Sequence, residues 1–149
     1  MAQQLSPHFS AEELTTTETG HPNVPDAAEL EVLRTLAAFL EKVRTILGDK
    51  PLNVHSAFRS HRVNQAVGGV PNSAHRLGFA VDFSCPSFGS PLEICRALDA
   101  AEKAGKIAFD QLIQEGGWVH ISRDPKLRGQ RLTLTGPGQY AAGINPTPS

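Results

Sequence analysis

The sequence predicts an α+β fold: one small domain in which an antiparallel or mixed sheet carries helices packed on it. Three observations predict it. The chain has 149 residues, one domain's worth, enough to bury about 68–70% of its unfolded surface without a disulfide or structural metal. Strongly periodic helical segments come first, followed by short strand-like runs mixed with helices and then a hairpin pattern. Hydrophobic content of 40% and charged content of 19% are ordinary for a globular chain, and no internal repeat is visible.

Taken in order, Ser10 with Glu13 forms a capping-box pattern that opens a short helical turn at about 11–15. A polar connection, "TTTETGHPNVP", follows. Asp26 then reads as an N-cap, with Glu29 at the third helical position. Leu33, Leu36, Leu40, Val43 and Leu47 recur at three- and four-residue steps, which is one apolar helix face ending at Gly48. "LNVHSAF" (52–58) alternates like a strand, and "SHRVNQAV" reads as a short helix stopped by Gly68-Gly69. After the loop "GVPNS", "FAVDFS" (79–84) is a strand. Ser90 and Pro91 are a capping residue and a proline at the first helical position. The helix they begin carries Leu92, Cys95, Leu98 and Ala101 on its apolar face and runs to Gly105. "FDQLIQ" and "WVHIS" are strands joined through Glu115-Gly116-Gly117 as a hairpin, and "RLTLT" (131–135) is a last strand. Residues 136–149, rich in Gly, Pro and Ala, are expected to form a loose tail.

Charge and patterning exclude some functions. A net charge of −1 argues against bulk electrostatic binding of nucleic acid. No apolar run reaches the 18 or more residues of a membrane span. The opening "MAQQLSPHFSAEEL" lacks a basic segment followed by an apolar one, so synthesis in the cytoplasm without a signal peptide is the expectation. Cys85 and Cys95 do not form a C-x-x-C pair and read as small buried hydrophobes, although their spacing leaves a disulfide open.

The stretch "SAHRLGFAVD" (73–82) raises the chemical question. His75 lies at a loop end, with Gly78 permitting close backbone approach three residues on. Asp82 sits in an otherwise apolar strand, on the face opposite Val81 and Phe83. A carboxylate buried there requires a cation, an arginine or several N–H donors. In "WVHIS", alternation puts Trp118, His120 and Ser122 on one face, turned toward a cleft, while Val119 and Ile121 pack on the core. His75, Asp82 and His120 together offer three N/O ligands and leave zinc an open position. That is the arrangement of a catalytic zinc site, since structural sites are closed by four ligands rich in cysteine. Glu115 at the hairpin turn can fold back toward such an ion as a base, and Arg59 can project from the end of strand 52–58 into the same cleft. H-E-x-x-H, P-loop and G-x-S-x-G patterns are absent. A Cys85–His nucleophile stays open, though no base lies beside Cys85 in the sequence.

These residues resemble a known family. "SAHRLGFAVDF" fits the S-x-H-x-x-G-x-A-x-D signature of the zinc D-alanyl-D-alanine carboxypeptidases, and "WVHIS" fits their second histidine motif. "SAFRSHRVNQAVGGVPNSAH", "LSPHFSAEEL" and "FDQLI" are similar to the phage and bacterial peptidoglycan-peptidase (endolysin-like) branch. The likeness runs over about residues 5–122. It implies a hedgehog/D-Ala-D-Ala peptidase-like fold over 1–135, with Zn2+ held by His75, Asp82 and His120. It also implies that a peptide bond is hydrolysed in the peptidoglycan stem peptide, either D-Ala–D-Ala or L-Ala–D-Glu. Arg59 matches the arginine that steadies the substrate carbonyl or carboxylate, and Ser73 matches a substrate-contacting serine. Trp118 is expected to contact substrate beside them. Several relatives carry an acid three residues before the second histidine, where this chain has Gly117. Others carry a functional residue five before it, so the base role falls to Glu115. The expected protein is a phage-derived, monomeric cell-wall peptidase that acts on the wall or periplasm after release. The same fold family includes the hedgehog signalling domain, so a zinc-stabilised, catalytically inactive wall-binding or virion module is the alternative.

Overall fold

The structure, a computed structural model, describes residues 3–146. Strands β1 (Gln4–Ser6) and β2 (Phe9–Ser10) form a small hairpin before helix α1 (Ala11–Leu14) and the long helix α2 (Ala27–Ile46). Then come β3 (Asn53–Ser56), α3 (His61–Ala66), β4 (Ala80–Ser84), α4 (Pro91–Lys103), β5 (Gln111–Gln114), β6 (Val119–Ser122), β7 (Gln130–Gly136) and β8 (Gln139–Ala142). Six strands form one mixed sheet in the order β3-β4-β6-β5-β7-β8, antiparallel throughout except for the parallel pair β5–β7. The α+β expectation holds.

Helix starts obey their capping residues. Ser10, Asp26 and Ser90 each accept the backbone N–H of a glutamate three residues on, and that glutamate reaches back to the cap's own N–H. Helix α2 buries Leu33, Leu36, Leu40 and Val43 as its period requires, with Ala37 and Phe39 beside them. In α4 the buried face is Ile94, Cys95, Leu98 and Ala101, and Leu92 in its first turn is only half-buried. Val81 and Phe83 of β4, Leu112 of β5, and Val119 and Ile121 of β6 are fully buried in the same core as these helix faces. Each such side chain contributes about 1.5–3 kcal/mol relative to its exposed state. The alternate residues of the central strands are thereby turned to the other face of the sheet.

One element was not expected and one expectation needs correction. The hairpin β1–β2 is too short to leave a periodic signal. Residues 136–146 are not a loose tail: β8 pairs antiparallel with β7 across the turn at Gly138, whose φ of +68° suits glycine. The buried Thr133 hydroxyl donates to the Gly143 carbonyl (2.7 Å) and accepts the Asn145 N–H (2.9 Å), which holds the segment beyond β8. "QYAA" lacks alternation because β8 is an exposed edge strand that buries little of either face. Positions 147–149 of the expected tail lie outside the described residues. Among the described residues no helix is long and apolar enough to cross a membrane.

Candidate metal centre

Strand register makes the first half of the site. Asp82 on β4 and His120 on β6 are directly opposed across the antiparallel pair, and residues so paired have neighbouring side chains on one face. His120 Nδ1 lies 2.9 Å from Asp82 Oδ1. The face is the one opposite Val81 and Phe83, as the alternation requires.

A loop makes the second half. Residues 73–78 form consecutive turns in which the Phe79 N–H donates to the Ala74 carbonyl and the Gly78 N–H to that of His75. Gly78 has φ of +80°, and a Cβ there would lie 3.2 Å from Val32 Cγ1 of α2, so both its freedom and its small size are used. The loop is pinned to the chain after β3 by the Arg59 N–H, which donates to the His75 carbonyl (3.1 Å). His75 is buried, and its Nδ1 lies 2.8 Å from the Ala57 carbonyl. A carbonyl only accepts, so Nδ1 carries a proton and Nε2 is the ring nitrogen left to take a metal. That Nε2 lies 3.3 Å from Asp82 Oδ1.

One ligand atom from each of His75, Asp82 and His120 therefore lies within 4.8 Å of the others. Two imidazoles and a carboxylate suit zinc and leave room for a fourth ligand. A second observation fits a cation here: His120 Nε2 is buried with no hydrogen-bond partner among the described residues, so the protein alone leaves this ring half satisfied. Burial disfavours the charged form of Asp82, but the hydrogen bonds and charge of His120 and His75 outweigh it. They hold this carboxyl well below the usual carboxylate range. Its partners are the two rings, and among the described residues no backbone N–H donates to it.

The remaining expected residues divide. Arg59, Asp82 and Trp118 line one groove of about 620 Å³, together with Thr16, Thr17, Glu18 and Thr19. Burial lowers the Arg59 pKa and the nearby Asp82 charge opposes that shift. Trp118 is exposed at the groove wall. Glu115 follows β5 at the turn, where its N–H donates to the Trp118 carbonyl (3.0 Å). Burial raises the Glu115 pKa, the charge of His120 lowers it, and Asp82 raises it again. Gly117 is open: a Cβ built there meets nothing within 4 Å. Ser73 is not among the groove residues; its hydroxyl accepts the His75 N–H (3.2 Å) and so braces the loop that carries the histidine.

Both cysteines are buried and unpaired. Burial and the Asp99 charge push the Cys95 thiol up to about 12, and Cys85, the thiol left open as a nucleophile, is fully buried within the hydrophobic core.

Three residues near the site escaped the sequence reading. Asn23 braces both flanks of Arg59, Arg76 donates to the Arg59 carbonyl, and Tyr140 reaches Glu115. Each works through non-local hydrogen bonds that no spacing announces.

Comparison with known proteins yields two findings. A family model described as Peptidase M15 matches residues 7–122. Over 77 residues the chain is 39% identical to the zinc D-Ala-D-Ala carboxypeptidase of Streptomyces albus G, covering 52% of this chain. The match spans 28% of that relative's length.

Proposed function

Because the chain belongs to the peptidase M15 family, we propose that it is a zinc-dependent peptidase hydrolysing a peptide bond in the stem peptide of peptidoglycan. The bond is the terminal D-Ala–D-Ala or the internal L-Ala–D-Glu linkage. The setting we propose is cell-wall lysis or remodelling by a phage-derived enzyme of endolysin type, reaching the wall after release. The observation that carries the chemistry is the convergence of His75, Asp82 and His120 ligand atoms within 4.8 Å, beside the groove that Arg59 and Asp82 line.

His75, Asp82 and His120 would hold the ion. When bound, zinc supplies a Lewis acid that lowers the pKa of a water toward ~7 and polarises a carbonyl. Glu115 is the carboxylate outside the ligand set whose ionisation responds to His120 and Asp82. Its carboxylate oxygens accept the proton of the attacking water and return it to the leaving amine. The Arg59 guanidinium donates to the oxygen on which negative charge develops, or to a substrate carboxylate. Trp118 gives the peptide an apolar wall. The base must be ionised, and burial raises its pKa. Cleavage is therefore expected to fall with acid from a pH above the ordinary carboxylate range, as a pH–rate profile would report.

The test is digestion of purified peptidoglycan with and without a chelator, with the released muropeptides weighed by mass spectrometry. Loss of D-alanine and internal cleavage give different masses. Glu115→Ala is expected to retain zinc and lose cleavage by about 10²-fold or more. Cleavage indifferent to chelation and to His75→Ala would remove the metal from the reaction. A zinc-loaded protein that binds wall peptide without cutting it would put the binding module in the enzyme's place.

A further inference from the structure

We propose that the C-terminal strand β8 is part of the active site, with Tyr140 as the positioning residue that orients the Glu115 carboxylate. This rests on Glu115 being the base.

The Tyr140 hydroxyl lies 3.3 Å from both Oε1 and Oε2 of Glu115. Among the described residues no other side chain or N–H donates to this carboxylate. The turn's own hydrogen bonds, from the Glu115 N–H to the Trp118 carbonyl and from the Gly116 N–H to Gln114 Oε1, hold backbone and do not touch the carboxylate. Without Tyr140 the glutamate could occupy several rotamers at a turn. The shared hydroxyl restricts that choice, and the carboxylate it holds feels the charges of His120 and Asp82.

The strand that presents Tyr140 and the segment after it are held by buried polar groups, with Ile144 packed against the core. Tyr140 pairs with Leu134 across β7–β8. Buried Gln114, next to the base, accepts the Gly116 N–H at its Oε1 (2.6 Å) and donates from Nε2 to the Asn145 carbonyl (3.4 Å). Buried Thr133 bonds Gly143 and Asn145. Such groups are costly when left unpaired, so the turn bearing Glu115 and the segment after β8 are tied together. Tyr140 itself is exposed, so burial does not demand a partner for its hydroxyl. Its position lies beyond the residues 7–122 that the family model matches.

The groups whose charge or hydrogen bonding acts on Glu115 are His120, Asp82 and Tyr140. A donor to a carboxylate favours its ionised form, and in return the phenol becomes harder to ionise. The chain contains one tyrosine, so phenolate absorbance reads Tyr140 alone, with no metal or substrate required. Its midpoint is expected above the ordinary value near 10 and should move back toward it in Glu115→Gln. In cleavage assays Tyr140→Phe is expected to keep its zinc and melting temperature and to lower kcat roughly 3- to 10-fold, the worth of one such hydrogen bond. KM should change little, and the acid limb of the pH profile should move to higher pH. In the Glu115→Gln background the same substitution should cost nothing further. Wild-type kcat and pH profile in Tyr140→Phe, with Glu115→Gln inactive, would overturn the role of Tyr140 and leave the base standing. Wild-type cleavage by Glu115→Gln would overturn the base, and the positioning role with it.

Discussion

Asn23 shows how one residue can set a site it never touches. Its Nδ2 donates to the carbonyls of Thr15 and Phe58 (2.9 Å each), and its Oδ1 accepts the Ser60 N–H (2.7 Å). The bonds to Phe58 and Ser60 flank Arg59, and the bond to Thr15 fixes one end of the Thr16–Thr19 segment of the groove wall. Arg76 adds a bond to the Arg59 carbonyl (3.3 Å) while paired with Glu29 and stacked over Phe58. Asn23→Ala is expected to strand backbone groups that Asn23 now satisfies and to cost about 1–3 kcal/mol, read as a lower urea midpoint. Activity should fall at unchanged zinc content. Nothing in "HPNVP" marks Asn23, because its partners are remote in sequence. His75 and Asp82 were visible for the opposite reason: a histidine on a glycine-bearing loop and a carboxylate in an apolar strand each violate a local pattern.

Among elements, the loop 73–78 and the pair β4–β6 do different work. Register alone sets Asp82 against His120, and a slip of either strand by one residue would turn its ligand into the core and away from the other. The loop needs Gly78. Gly78→Ala is expected to cost about 1–2 kcal/mol for its left-handed backbone and to press on Val32. The result should be a lower melting temperature and, because His75 rides on the same loop, weaker zinc binding in a metal titration. Helices and central strands were legible from the sequence since their signals are periodic and local. β8 was not, since an edge strand with little buried area leaves no alternation to read.

For the whole molecule, the proposed zinc joins two parts that the core alone does not unite, the loop 73–78 and the β4–β6 pair. A ligand at 100 times its Kd stabilises the folded state by about 2.7 kcal/mol. At about 2–4 °C per kcal/mol for a chain of this size, chelation is expected to lower the melting temperature by about 5–10 °C. His75→Ala should melt at one temperature with or without the chelator, which separates metal loss from a direct effect of the reagent.

By itself the sequence determined the α+β class, the capped helices, the central strands, and the three residue types that can hold a metal. These rest on periodicities and local chemistry that adjacent residues encode. Only the tertiary structure decided that Asp82 and His120 oppose each other with His75 brought against them, that Arg59 is braced by Asn23, and that Tyr140 reaches Glu115. The physical reason is that convergence depends on register and on hydrogen bonds between residues far apart in the chain, and these exist only once the sheet has formed.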